Sequence, residues 1–226
     1  MINYIHTDLA CETNTAYCDF AKDESAKKNS ILDKETIYSS DKIGGFAIRR
    51  MKNKNDDAIE NYSTIYFDNC TSLSAEDQRL LSLLIAHEIN LISKDSYKEF
   101  LICGLGNKNM TSDSIGPKVT GNILVSRHIS RYDKETFKLL NTKAVSAISA
   151  GVLSQTGIES ADIIKALCEQ ISPDVVIVVD ALCARSNERL CKTVQITDTG
   201  VSPGSGVNNK RPTVNSSLLG IPVISI

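Results

Sequence analysis

A chain of 226 residues has room for one good-sized α/β domain with a small appendage. Its net charge of −2, with acids and bases interspersed, leaves no footprint for nucleic acid or a membrane surface, and the absence of Trp removes base stacking as well. No apolar run approaches the roughly 20 residues that span a bilayer. The N-terminus MINYIHTDLACE lacks the basic and then apolar regions of a signal peptide, so the chain reads as cytoplasmic.

Residues 1–30 are polar and end in a run of charges, as a terminal arm does. Two stretches, 35–51 and 60–68, carry β-branched and aromatic residues around the charged linker Lys52 to Asp57. They predict two short antiparallel strands, a β appendage over residues 31–70. Ser74-Ala75-Glu76-Asp77 predicts a capping box opening a helix to about Ser93, with an apolar stripe of Leu80, Leu81, Leu84, Ile85, Ile89 and Ile92. His87 lies beside that stripe and reads as a surface or core histidine rather than a base.

Phe100 to Cys103 is a short apolar run, the length of a buried strand, that stops at Gly104-Leu105-Gly106. Pro117 suits the first turn of a helix predicted from about Ser114 to Ile129, with Ile115, Val119 and Ile123 facing inward. Asp113 then stands before that helix at the carboxyl edge of a sheet, where open α/β folds place their chemistry. Taken alone, such an Asp is most simply an N-cap. Lys143 to Ser149 predicts another strand, leading into the glycine-containing loop 149–157, and a helix from Ser160 to Ile171 is stopped by Pro173.

The β-branched run Asp174 to Leu182 reads as a strand buried on both faces, interrupted near its carboxyl end by Asp180. A carboxylate there is costly unless it is paired, protonated or in use. Two parallel strands each delivering an aspartate to one edge make a two-carboxylate site, and this is what moves Asp113 beyond a cap. The alternation of strands and helices predicts a mainly parallel sheet with helices on both faces. Lys192 to Ile196 and Val223 to Ile226 predict two more strands. Between them, residues 197–211 form a glycine- and asparagine-rich loop that fits either an anion or peptide-backbone cradle or a solvated linker.

Other chemistries lack their signatures. GLGNKN has Asn109 where a dinucleotide fingerprint needs its third glycine, and neither a P-loop nor GxSxG occurs. The cysteines show no CxxC and the histidines no HxxxH, so neither a metal nor a cofactor is expected. Cys103, Cys168 and Cys183 lie in apolar segments and read as small core residues of a reducing compartment.

GLGNKNMTSDSIGP, SAGVLSQTGIES, DVVIVVDALCARSNERLCKTVQITDTGVSPGSGVNNKR and LGIPVISI together closely resemble the germination protease family of spore-forming bacteria. IHTDLACE resembles that family's self-processing site. The resemblance implies a zymogen cut between Asp8 and Leu9, with a propeptide and arm over 1–30 and a single protease domain over 31–226. It implies a fold related to the hydrogenase maturation proteases. It also implies an endopeptidase that degrades small acid-soluble spore proteins in the spore core during germination, and a homo-oligomer, a tetramer.

Under this resemblance Asp113 and Asp180 match the catalytic aspartates. Gly104, Gly106 and Asn107, with Gly204, Gly206, Lys210 and Arg211, are expected to line the substrate and oxyanion loops. Lys210 and Arg211 would meet an acidic substrate residue. Ala150 stands where the family has a proline, and the family continues beyond GIPVISI, so the chain is expected to be truncated at its C-terminus. Two alternatives remain: a metal-dependent maturation-type peptidase, or a truncated remnant that only binds.

Overall fold

The structure, a computed structural model, describes residues 31–33, 36–55, 58–184, 186–204 and 211–226. The chain begins with strands β1 (Ile31–Asp33), β2 (Thr36–Ile43), β3 (Phe46–Asn55) and β4 (Ala58–Tyr66), then helix α1 (Ala75–Ile92). Strand β5 (Glu99–Leu105) precedes short helices α2 (Ile115–Thr120), α3 (Arg127–Tyr132) and α4 (Lys134–Leu140). Next come β6 (Ala144–Gly151), α5 (Leu153–Thr156), α6 (Ser160–Ile171) and β7 (Val175–Val179). Strand β8 (Thr193–Thr197), helix α7 (Ser216–Leu219) and strand β9 (Val223–Ser225) follow.

The described residues fall into two compact units. The first holds the residues up to Ile92 and those of 182–198; the second holds 93–181, 199–204 and 211–226.

In the first unit every strand pairs antiparallel. Strands β2 and β3 form a hairpin around Gly44-Gly45, and β4 pairs with β3 on one side and with β8 on the other. The two strands predicted from residues 35–68 are therefore three. The two glycines split the first of them, because Gly44 adopts φ +60°, a turn conformation that leaves no room for a straight strand. The supposed linker from Lys52 to Asn55 simply continues β3.

Phe46, Ile48 and Ile65 bury their side chains, and Ile48 stands directly opposite Ile65. One step along, Arg50 stands opposite Ser63, and Ser63 opposite Ile196 of β8. Helix α1 buries Leu84 and Glu88. Its start is the predicted capping box with Asp in place of Glu: Asp77 N–H donates to Ser74 Oγ at 3.1 Å, and Ser74 N–H donates to Asp77 Oδ2 at 3.1 Å.

The second unit is the parallel part, with β5 between β6 and β7, and β9 beside β7. All five residues of β7 are buried, as its β-branched run predicts. Helix α6 begins and ends at the predicted residues and buries Ala161, Ile164 and Cys168 at helical spacing.

Parallel pairing is thus confined to one unit, which narrows the expected mainly parallel sheet to a chain with both parallel and antiparallel strands. The predicted helix from Ser114 to Ile129 is also corrected. It breaks after Thr120, whose hydroxyl bonds back to the carbonyls of Gly116 and Pro117, and Ile115 is 51% exposed instead of facing inward.

Candidate active site

The carboxyl ends of β5 and β7 lie side by side because the strands are in register from Phe100 opposite Val175 to Gly104 opposite Val179. Asp180 follows Val179 directly, and the glycine turn follows Gly104. Each glycine of this edge is required by a close approach. A Cβ on Gly104 would stand 2.2 Å from the Gly116 carbonyl oxygen. One on Gly116 would stand 2.2 Å from the Leu105 oxygen and 2.6 Å from that of Val179. Helix α2 can therefore sit directly on the strand ends, and the backbone three residues after Asp113 touches the backbone one residue before Asp180.

Gly106 has φ +103°, and a side chain there would lie 2.8 Å from Asp113 Oδ1. The missing Cβ is what lets the Asp113 carboxylate close over the turn. Asn107 N–H donates to Asp113 Oδ2 at 2.9 Å and to the Asp113 carbonyl oxygen at 2.9 Å. This N–H, expected as an oxyanion donor, serves the carboxylate instead. No side-chain cap bond joins Asp113 or Ser114 to α2, so the simple N-cap role is not the one observed.

Asp180 is half-buried. Its Oδ1 accepts the Ala181 N–H at 2.8 Å, while its own N–H donates to the Ile226 carbonyl oxygen at 3.0 Å. The loop after β6 reaches the same edge: Gln155 Nε2 donates to Asn107 Oδ1 at 2.7 Å. Gly104, Gly106, Asn107 and Asp113 are thus brought together, with Asp180 at the end of the adjoining strand.

Gly204 adopts φ +73° in the turn after Pro203. The stems of its loop are tied by a bridge between Val201 and Val214 and by the Ser202 and Thr213 hydroxyls, 2.6 Å apart. Arg211 pairs with Glu159 at 3.2 Å, so an acidic substrate residue would have to compete for it. Asp8, Leu9, Gly206 and Lys210 lie outside the described residues.

Sequence reasoning passed over Gly116 and Gln155. A glycine inside a helix costs about 1 kcal/mol against alanine, which is a usable sign of close packing. Nothing marks Gln155 in a polar loop. Chemically, two carboxyl groups that meet one substrate can divide the work of base and acid between them. Among the described residues no three His, Cys, Asp or Glu side chains gather as a metal site, and no helix is long and apolar enough to cross a membrane.

Comparison with known proteins matches residues 9–226 to the family model described as germination protease. The germination protease of Clostridium acetobutylicum is 36% identical over 233 residues, covering 100% of this chain and 69% of the relative. That of Bacillus subtilis is 38% identical over 229 residues, 98% of this chain and 61% of the relative. That of Caldanaerobacter subterraneus is 46% identical over 152 residues, 66% of this chain and 46% of the relative. The chain therefore spans about two thirds of the length of the first two relatives and less than half of the third.

Proposed function

Because the chain belongs to the germination protease family, we propose that it is an endopeptidase acting through Asp113 and Asp180. Its substrates in this reading are the small acid-soluble spore proteins of the germinating spore, and its place is the cytoplasm of the spore core. The observation that carries the reading is the register of β5 on β7, with Gly116 packed against both strand ends. It supports a shared edge for the two aspartates.

One aspartate, ionised, takes a proton from the attacking water. The other, protonated, polarises the scissile carbonyl and later passes its proton to the departing nitrogen. Backbone N–H groups of the glycine turn are our candidates for stabilising the oxyanion, where a well-aimed donor contributes roughly 3 kcal/mol.

The same reading includes a zymogen. The family match begins at Leu9, the residue that a cut after Asp8 would leave as the new N-terminus. N-terminal sequencing of aged protein tests it. It includes a homo-oligomer, which light scattering tests. The metal-dependent alternative draws no support from the residue clusters described above.

The deciding experiment is cleavage of a recombinant small acid-soluble spore protein by the purified chain. Cuts beside acidic residues are expected, and Asp180→Asn or Asp113→Asn should abolish them. Undiminished cleavage by either variant overturns the assignment. Binding without cleavage, in wild type and variants alike, would leave a protein that only binds.

A further inference from the structure

We propose that Gln155 is a positioning residue for the Asp113 carboxylate, acting through Asn107. The inference rests on the two-aspartate reading above and adds to it a residue from the third loop of the edge.

Gln155 is exposed and stands in a short turn closed by its own hydrogen bonds. Gly151 turns the chain out of β6 with φ +71°, and Gly157, with φ +72°, closes the single turn of α5. Within that turn the Gln155 N–H donates to the Val152 carbonyl oxygen at 2.9 Å. Thr156 Oγ1 bonds the carbonyl of Ile158 at 2.9 Å and accepts the Ile158 N–H at 3.1 Å.

The polarity of the relay is set by its far end. The Asn109 N–H can only donate, and it points at Asn107 Oδ1 at 3.0 Å. That atom is therefore the amide oxygen, and the Gln155 atom 2.7 Å away is its nitrogen. Asn107 so held passes its backbone N–H to Asp113 Oδ2 and to the Asp113 carbonyl oxygen, each at 2.9 Å.

The turn from Asn107 to Asp113 otherwise closes on itself: Met110 N–H donates to the Asn107 carbonyl and Asp113 N–H to that of Met110. Gly116 seats the Asp113 end of this turn against the strand ends, which leaves the Asn107 side chain at its other end to be tied from elsewhere. Gln155 supplies a tie from the neighbouring loop. Without it, the carboxylate keeps its chemistry and samples a wider range of directions, which penalises the chemical step more than substrate capture.

The test is kinetic and uses the full chain with a recombinant small acid-soluble spore protein. Gln155→Ala should lower kcat about tenfold with KM within about twofold, the pattern of a lost transition-state alignment. Gln155→Glu keeps the shape and removes the donor, and should match it. Asn107→Ala with Gln155→Ala should be no slower than Asn107→Ala alone, since the two act in one line. An unchanged kcat, a loss confined to KM, or additive losses would each overturn the inference.

Amide exchange of Asn107, read without substrate, should quicken about tenfold in Gln155→Ala, and unchanged exchange overturns the tie itself. Asp113→Asn belongs in the same assay. If it cleaves at the wild-type rate, the two-aspartate reading has failed, while the exchange result still decides whether Gln155 holds the turn.

Discussion

Two carboxylates in this chain are held in opposite ways. Glu88 is 1% exposed and meets Arg50 through both oxygens, Nε donating to Oε2 at 2.6 Å, while Ser63 Oγ donates to Oε2 at 2.7 Å. Arg50 also pairs with the exposed Asp41, and the hydrogen bonds it donates, to Glu88 foremost and then to Asp41, push its pKa above the ordinary arginine value. Asp113 is only half-buried, has no cationic partner among the described residues, and rests on a backbone N–H. Glu88 is neutralised and sealed, so its charge serves only the packing of α1 on the sheet. In the two-aspartate reading proposed above, a carboxylate steadied by a backbone N–H, with no cation against it, keeps lone pairs for a reacting group.

Exchanging the roles of these two acids in experiment should give mirror-image phenotypes. Asp113→Asn and Asp180→Asn should lose about a thousandfold or more in cleavage, within the range that acid-base groups supply. Their melting temperatures should stay within a few degrees of wild type, measured by calorimetry. Glu88→Ala should do the reverse. Losing Glu88 leaves Arg50 only the exposed Asp41 as partner, which should cost up to roughly 3 kcal/mol, or several degrees in Tm for a chain of this size, while cleavage per folded molecule persists. A Glu88→Ala variant that melts like wild type would erase the contrast.

Gly116→Ala should blur it, because this residue serves both fold and site. Its new Cβ would meet backbone at 2.2 Å from Leu105 and 2.6 Å from Val179, with no flexible side chain to yield. Overpacking of this kind costs roughly 1–3 kcal/mol. Lifting α2 off the strand ends should also lower kcat, so urea unfolding and cleavage should fall together. A variant that keeps full activity would detach Gly116 from the site.

What could be read from the sequence followed the strength of local signals. Strand β7 and helix α6 were legible because a β-branched run and a regular apolar spacing, stopped by Pro173, each admit one conformation. The helix expected through Ile129 rests on Pro117 in its first turn and on Ile115, Val119 and Ile123. Docking of Gly116 onto the strand ends overrode that short pattern and turned Ile115 outward. Gly44-Gly45 is a hairpin signal whose flanking β-branched residues mimic one continuous strand. The pairing of β4 with β8 joins segments far apart in sequence, which local pattern does not encode. In the candidate site, Asp180 stands out in the sequence through the expense of a carboxylate at the end of an apolar run, whereas Asp113, in a turn ahead of α2, stands out only beside it. Their support does not stand out, since a glutamine in one loop does not announce which asparagine it meets.

Smaller effects extend the comparison to carboxylates and hydroxyls that only tie chain ends. Ser74→Ala removes the reciprocal cap of α1 and should cost about 1 kcal/mol with no change in cleavage, by urea titration.

Asp174 gives the smallest effect and the one with a pH signature. Its Oδ2 accepts the Glu99 N–H at 2.9 Å and the Lys98 N–H at 2.6 Å, fastening the start of β7 to the start of β5. These bonds, that from Glu99 foremost, hold its pKa below the ordinary aspartate value. A carboxyl with a lower pKa folded than unfolded contributes its stability above the unfolded value, about 3.9, and loses it as pH falls through the folded one. Asp174→Asn keeps an amide oxygen for the same N–H groups and gives up only the charge. Its urea midpoint should therefore lie slightly below wild type at pH 7, hold that gap down to about pH 5, and meet wild type once both forms of the aspartate are protonated. Because the group is exposed and solvent screens it, the gap should be smaller than for Ser74→Ala. A gap that persists unchanged to low pH would show that geometry at this junction, and not charge, is what the aspartate provides.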